Sequence, residues 1–195
     1  MHHLKTCSST NLFFDTNVLL SHANSDAGSA APDIEKILEE AYAGKRSLWV
    51  SSIIFAELRP SLFVAGKFES VTKLASYIRS IATVVSPDPD MMLRAGRLRD
   101  QRWNRSGRTA EEKYRTMSLG DALHIVSALW VKEATNVPDL QFLTFDDGKS
   151  RSDEGKSLSL LRLEEYTDGI SNHPDVIASA ALYRTRPILS QTAMF

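Results

Sequence analysis

The stretch that decides the fold class is Leu12-Phe13-Phe14-Asp15-Thr16-Asn17-Val18-Leu19-Leu20. Its first three residues form a short apolar run, which is typical of a strand buried on both faces. The run ends at Asp15, and the residues from Asn17 onward predict the start of a helix. A buried strand that leads directly into a helix indicates the opening unit of a parallel α/β sheet.

The same alternation continues along the chain. Apolar runs predict further strands at 48–52, 83–85, 141–145 and 158–163, and helical periodicity predicts helices at 32–43, 53–58, 68–82, 87–99 and 118–134. This order predicts an α/β protein of three layers, α/β/α, with a central and mainly parallel sheet. We expect residues 1–166 to form one domain, and residues 167–195 to be a C-terminal extension packed on it, with a helical segment after Pro174.

Composition excludes several classes of protein. The chain has 195 residues, of which 43% are hydrophobic and 24% charged, and this argues against disorder, a collagen-like fibre or a cystine scaffold. Because Cys7 is the only cysteine, no intrachain disulfide or multi-cysteine zinc site is possible. No apolar run reaches the roughly 18 residues of a membrane span, so we expect a soluble cytoplasmic protein with no membrane contact.

Two aspartates end predicted strands. Asp15 follows the first strand and Asp146 ends the strand predicted at 141–145. The carboxyl ends of parallel strands meet at one edge of a sheet, so we expect these two acids to lie near each other. The alternative is that Asp15 caps the next helix and that residues 146–148 form an ordinary turn.

Two further acids belong to apolar helices. Glu57 lies among the apolar residues of 53–58, where an ionised carboxylate is costly unless a cation or a donor satisfies it. Asp121 stands at the start of the most apolar helix of the chain. The alternatives are that Glu57 reaches solvent or pairs with Arg59, and that Asp121 completes a capping box with Ser118, which is compatible with a binding role.

Four carboxylates in one crevice repel each other unless a divalent ion offsets their charge. With no cysteine cluster and no paired histidines, an all-oxygen site favours Mg²⁺ or Mn²⁺ over zinc, and we interpret His124 as a core or supporting residue rather than a ligand. Such ions polarise phosphate esters and lower the pKa of an attacking water. The pattern therefore predicts phosphodiester hydrolysis, with four acids that are both catalytic and metal-binding: Asp15, Glu57, Asp121 and Asp146.

Four short motifs surround these acids: FFDTNVL at 13–19, SSIIFAEL at 51–58, LGDALHI at 119–125 and FLTFD at 142–146. In this order they resemble the PIN-domain family of metal-dependent ribonucleases, and specifically the VapC-type toxins of toxin–antitoxin pairs. The resemblance covers about residues 11 to 166. It implies a PIN-like fold, an RNA substrate, a cognate antitoxin protein as partner and a homodimer.

The resemblance also implies roles for single residues. Three acids are implied as the core of the site: Asp15, Glu57 and Asp121. Asp146 completes it as a ligand or as support, although the neighbouring Asp147 leaves the fourth assignment open. Thr16 and Thr144 would contact a metal-bound water or a phosphate through their hydroxyls, and Asn17 would orient the first acid.

A local excess of positive charge lies at 94–115. The whole chain has 23 basic and 24 acidic residues, but this segment has eight basic residues against three acidic ones, a local charge of +5. We predict that it binds RNA, with phosphate contacts from Arg102, Arg105 and Arg108 and with Trp103 stacked on an unpaired base. The alternative is that its arginines pair with the acidic helix around 35–40.

Two other functions stay open. A PIN-like module that binds RNA or protein without cleavage needs the basic segment but not the acids. A phosphatase resembling the haloacid-dehalogenase family also opens with an aspartate at a strand end and closes with an acidic pair such as Asp146-Asp147. That family has a second aspartate two residues after the first, where this chain has Asn17, and it gives Glu57 no role.

Overall fold

The computed structural model describes residues 6–62, 66–105, 114–148 and 158–189. Its centre is a five-stranded sheet in which all four strand pairs are parallel, in the order β3-β2-β1-β4-β5. The strands are β1 (Asn11–Phe14), β2 (Ser47–Ser51), β3 (Thr83–Val85), β4 (Gln141–Leu143) and β5 (Tyr183–Thr185). Helices cover both faces of this sheet, so the three-layer α/β/α prediction is confirmed.

Seven α-helices occur in the described ranges. They are α1 (Thr16–Ala23), α2 (Ala31–Tyr42), α3 (Ile54–Glu57), α4 (Val71–Ile81), α5 (Pro89–Arg99), α6 (Leu119–Ala134) and α7 (Pro174–Ala181). Helices α1, α2 and α4 bury their apolar side chains on one face of the sheet, and α5, α6 and α7 bury theirs on the other. No helix in this part of the chain is long and apolar enough to cross a bilayer.

Strand β1 lies at the centre of the sheet, and its side chains alternate between the two faces. Leu12 and Phe14 pack with the α1, α2 and α4 layer, whereas Phe13 points to the other layer and stacks on Phe142 at a centroid distance of 5.6 Å. All three are fully buried. A strand covered on both faces has no polar side, which explains why its sequence is an unbroken apolar run.

The prediction of a strand at 158–163 is wrong. Leu158 and Leu160 are buried in the core in an irregular segment, and a 3₁₀ helix at Leu163–Tyr166 follows. The fifth strand is instead β5, which pairs with β4. Residues 167–189 therefore form α7, which packs in one helical layer, and β5, which is the fifth strand of the sheet. Residues 190–195 lie outside the described part of the chain.

One edge of the sheet is the expected location for a functional site. All five carboxyl ends share that edge, and β1 lies between β2 and β4. The chain leaves β1 for helix α1 on one face, whereas it reaches β4 through α5 and α6 on the other. A crevice forms where connections diverge in this way, outside the carboxyl ends of the strands.

Candidate active site

An open cleft of about 430 Å³ lies at this carboxyl edge. Its acidic lining residues come from four separate segments: Asp15 after β1, Glu57 at the end of α3, Asp121 in the first turn of α6 and Asp146 after β4. The structure thus brings together the four acids singled out in the sequence. Asp15 and Asp146 follow the carboxyl ends of β1 and β4, and Glu57 follows β2 through the short helix α3. Asp121 lies in the first turn of α6, the helix that packs beside β2.

Asp15 is the most deeply buried of these acids, at 5% exposure. Its backbone N–H donates to the carbonyl of Leu143, and its Oδ2 accepts from Asn17 Nδ2 at 2.7 Å and from Thr144 Oγ1 at 2.6 Å. The Asn17 amide also donates to Thr144 and accepts from the N–H of Phe145. Asp15 Oδ2 is therefore fixed, and the carboxylate has only limited freedom to turn.

Burial raises the pKa of Asp15, and the charges of Asp121 and Glu57 raise it further. The charge of His124 and the Thr144 hydrogen bond act in the opposite direction without cancelling the effect. Desolvation and like charge both disfavour the ionised form, as expected for acids that converge in one crevice. A cation in the cleft is the physical remedy for this cost.

The position of Thr144 corrects one prediction. Its side chain is fully buried, so its hydroxyl does not face the cleft to contact water or phosphate. It donates instead to Asp15 and accepts from the N–H of Asp146, and it thereby links two of the acids. Thr16, by contrast, does line the cleft.

Glu57 is held by a second group of residues. Its Oε2 accepts a hydrogen bond from the Thr16 hydroxyl and lies 2.9 Å from His124 Nε2. His124 is 1% exposed, and its Nε2 is also 3.0 Å from the Thr16 hydroxyl and 3.8 Å from Asp15 Oδ1. Because the Thr16 hydroxyl donates its proton to Glu57, we assign the His124 Nε2–H as a second donor to the same carboxylate. His124 thus supports the site without lining it.

Opposing effects set the protonation of this pair. Burial alone lowers the pKa of His124, but the hydrogen bond to Glu57 and the nearby charges of Asp15, Glu57 and Asp121 outweigh it and raise that pKa. Burial alone raises the pKa of Glu57, but the hydrogen bond and charge of His124 and the Thr16 hydroxyl hold it below its usual range. Both shifts favour an ion pair beneath the cleft.

Gly120 lets the Glu57 carboxylate lie against helix α6. A Cβ built on Gly120 would be 2.0 Å from Glu57 Oε1, far inside van der Waals contact. The next residue, Asp121, lies in the first turn of the helix, and its N–H donates to Ser118 Oγ at 3.0 Å. Ser118 therefore caps the helix, and this cap is compatible with the location of Asp121 in the cleft. The sequence analysis did not identify Gly120. The only sign of its role in the sequence is that glycine, a weak helix former, stands in the first turn of a helix.

The fourth acid in the cleft is Asp146, whereas Asp147 is not among the lining residues. Burial raises the pKa of Asp146 to about 6, with further contributions from the charges of Asp121 and Asp15. Its Oδ1 accepts from the N–H of Gly148 at 2.8 Å, which is an Asx turn. Asp147 Oδ2 lies 3.4 Å from Arg186 instead.

The donor set can be compared with what a divalent ion requires. Within the described ranges, no three acidic, histidine or cysteine side chains are gathered closely enough to form a ready-made metal cage. Carboxylates that line an open cleft fit Mg²⁺ or Mn²⁺ nevertheless, because Mg²⁺ keeps several waters and needs only one or two protein carboxylates. The residues therefore fit a hydrated hard ion and do not fit zinc.

The basic segment differs from its prediction. Trp103 is fully buried and its indole N–H donates to the carbonyl of Leu98 at 3.0 Å, so the prediction that it stacks on a base is wrong. Arg105 lies 2.9 Å from Glu165, and Arg102 lies over the ring of Tyr114. Arg108 lies outside the described residues.

Two other arginines of this segment are tied to acids as well. Arg94 and Arg97 both contact Asp175, at 2.9 and 2.8 Å, and Arg94 also pairs with Glu133. The alternative from the sequence was that these arginines pair with the acidic helix around 35–40. It is wrong about the partners, because Glu133 belongs to α6 and Asp175 to α7. Arg59 lines the cleft. The sequence suggested this arginine only as an ion-pair partner of Glu57.

Comparison with known families adds one finding. The family model described as the PIN domain matches residues 12–154, which is well over half of the chain. Strand β5 and helix α7 lie beyond the matched range. No curated protein sequence gives a significant match.

Proposed function

This chain belongs to the PIN-domain family, whose members are typically nucleases, and on that premise we propose that it is a metal-dependent endoribonuclease. The observation that carries the proposal is the cleft in which Asp15, Glu57, Asp121 and Asp146 converge. So many carboxylates around one crevice are costly to maintain for stability alone. They are useful where a hard cation must hold a phosphodiester.

In this proposal, Asp15, Asp121 and Asp146 hold Mg²⁺ or Mn²⁺, directly or through water. The ion, when bound, polarises the scissile phosphate and lowers the pKa of the attacking water. Glu57 is directed by His124 and Thr16, and it accepts hydrogen bonds from water held in the cleft. Asn17 and Thr144 keep the Asp15 carboxylate in one orientation throughout.

Cleavage of labelled RNA tests the proposal. Purified protein is incubated with single-stranded RNA, structured RNA and a generic phosphomonoester, each in Mg²⁺, Mn²⁺ or EDTA, beside the variant Asp15→Asn. We expect internal cleavage of RNA that EDTA and the substitution both abolish. Turnover of the monoester alone would indicate a phosphatase, and RNA binding without cleavage would indicate a module that only binds; either result overturns the proposal.

We further propose that the protein is the toxin of a toxin–antitoxin pair, acting in the cytoplasm as a homodimer with a cognate antitoxin. The support is the likeness of its motifs to VapC-type toxins. Induced expression in a bacterial host tests this directly, with Asp15→Asn as the inactive control. Growth arrest that the control lacks, and that a neighbouring small reading frame relieves, is the expected result. Normal growth of cells that contain active, folded enzyme refutes the toxin role.

A further inference from the structure

The acidic cleft raises a problem for its own substrate, because four carboxylates repel the phosphates on either side of the one that is cut. The described part of the basic segment, 94–105 and 114–115, does not resolve it, since most of its arginines are engaged with acids or rings elsewhere. Cations at the carboxyl edge itself would offset this repulsion. Three arginines of the described residues lie there: Arg59, Arg162 and Arg186.

Arg59 stands on the β2 side of the cleft. It follows helix α3, its backbone N–H donates to the carbonyl of Glu57 at 2.7 Å, and its exposed side chain lines the cleft with the acids. Its charge helps to hold the pKa of Glu57 down. Among the described residues, its guanidinium has no ion pair or hydrogen bond. Within that part of the chain, its donors are therefore available to a ligand.

Arg162 and Arg186 stand on the opposite side. Arg186 follows strand β5 directly, and its Nη2 lies 3.4 Å from Asp147 Oδ2, at the long limit of a hydrogen bond. Arg162 Nη2 donates to the carbonyl of Asp147 at 3.0 Å. Arg162 is exposed and the Arg186 side chain is 41% exposed, and the residue they share, Asp147, is the immediate neighbour of Asp146 in the cleft. Two cations therefore flank the acids at this end.

The order of the strands sets the span between the two groups. From β2 through β1 and β4 to β5 there are three strand spacings, roughly 14 Å. The acids that follow β1 and β4 lie between the ends of this span. The edge thus presents a positive group, an acidic centre and a second positive group in a line across the strands.

We propose that an RNA strand crosses the carboxyl edge of the sheet along this line, with one flanking phosphate on Arg59 and another on the Arg162 and Arg186 pair. The inference rests on the proposed function, in that the phosphate between them is the one presented to the acids. Arginine suits the role because its planar fork binds two phosphate oxygens at once. We call this line the arginine track; it takes the place of the base stacking predicted for Trp103, which is buried.

Equilibrium binding tests the arginine track apart from catalysis. A short fluorescein-labelled RNA strand is titrated with protein in EDTA at a series of NaCl concentrations, and a gel afterwards verifies that the probe is intact. The variants are Arg59→Gln and the double variant Arg162→Gln/Arg186→Gln. Arg99→Gln is the matched control, because Arg99 is exposed at the far end of α5, which starts near the carboxyl edge and runs away from it.

Each lost phosphate contact lowers the magnitude of the slope of log K against log salt concentration by about 0.7. We expect this change for Arg59→Gln and at least as much for the double variant, with affinity reduced about fivefold per contact. Arg99→Gln is expected to match the wild type. Arg59→Lys, which keeps the charge, is expected to keep the slope; a fall as large as that of Arg59→Gln overturns the electrostatic account.

The outcomes separate this inference from the proposed function. If the wild type binds RNA through these arginines but cuts nothing, the nuclease proposal fails and the arginine track stands. If it cuts RNA while both variants bind with the wild-type slope, the track is refuted and the nuclease proposal stands. A wild type that shows no salt-dependent RNA binding also refutes the track.

Discussion

Gly120→Ala separates the position of Glu57 from the stability of the fold. A Cβ at residue 120 would lie 2.0 Å from Glu57 Oε1, whereas real Cβ contacts stay beyond 3.0 Å, so the carboxylate must retreat by about 1 Å. Its contact with His124 Nε2 is 2.9 Å, and a retreat of that size is enough to break it. The obstacle is the end of a flexible side chain, so the backbone of α6 need not move.

The expected result is a folded protein with a misplaced acid. Alanine is a better helix former than glycine by up to about 1 kcal/mol, which offsets the lost hydrogen bonds of Glu57, so we expect the melting temperature to stay within a few degrees. A catalytic group displaced by about 1 Å costs on the order of 100-fold in rate. Single-turnover cleavage of labelled RNA in Mg²⁺ measures the rate, and circular dichroism measures the melt.

Gly96→Ala is the matched control. Gly96 lies in the middle of α5, and a Cβ there would meet nothing within 4 Å, so the same chemical change has no acid to displace. We expect it to be as stable as the wild type or more so, with unchanged cleavage. If Gly120→Ala cleaves RNA within threefold of the wild-type rate, the reasoning that α6 positions Glu57 is refuted. If Gly96→Ala loses activity equally, the effect is not specific to the cleft.

Three other predictions follow from buried charges. Asp15→Asn is expected to abolish cleavage, by roughly 100-fold or more, yet to raise the melting temperature in EDTA, because it removes a carboxylate whose pKa burial raises; a lower melting temperature would contradict this. Burial, with help from the Lys67 charge, lowers the pKa of His22 to about 4, so protonation favours the unfolded chain and stability falls as pH drops from about 6.5 to 4, by at most about 3 kcal/mol. Urea denaturation at both ends of that range is expected to show a smaller loss for His22→Phe than for the wild type, and equal losses would exclude His22 as the cause. Arg184 is 1% exposed and donates to Glu164 and to the carbonyls of Ser179 and Ala180, so Arg184→Ala is expected to cost about 2–3 kcal/mol in urea denaturation, and a cost under about 0.5 kcal/mol would be inconsistent with this role.

Local sequence patterns predict the central part of the fold because its determinants are local. The run at 12–14 is apolar since β1 is covered on both faces, and each acid of the cleft stands next to an apolar run that places it at a strand end or in a buried helix. The topology of a parallel sheet then brings these ends together. Convergence of the acids could therefore be expected without knowing a single long-range contact.

Other features depend on contacts that no local pattern contains. Leu158, Leu160 and Leu163 are buried, but burial alone does not distinguish a strand from an irregular segment. The actual fifth strand, β5, is three residues long and contains the buried Arg184, so it has no apolar run to mark it. Trp103 is buried in the core, and Arg94 and Arg97 pair with Asp175, about 80 positions away, so the exposure of these residues cannot be inferred from composition.

Thr16 links the residues that hold Asp15 to those that hold Glu57. Asp15 is fixed by side chains that follow β1 and β4, whereas Glu57 is fixed by His124 on α6. Thr16 is the direct neighbour of Asp15 in the chain, and its hydroxyl donates to Glu57. A shift of Glu57 is therefore transmitted to the start of α1.

Helix α6 determines where that linked unit lies relative to the sheet. The only side-chain hydrogen bond between α6 and β2 in the described residues joins Ser127 Oγ to Ser51 Oγ at 3.0 Å, and both serines are fully buried. A hydroxyl left unpaired there costs about 1–3 kcal/mol, so the pair favours one register of the helix on the strand. That register sets where His124 and Gly120 meet Glu57. The geometry of the acids therefore depends on how α6 packs on β2 as much as on the acids themselves.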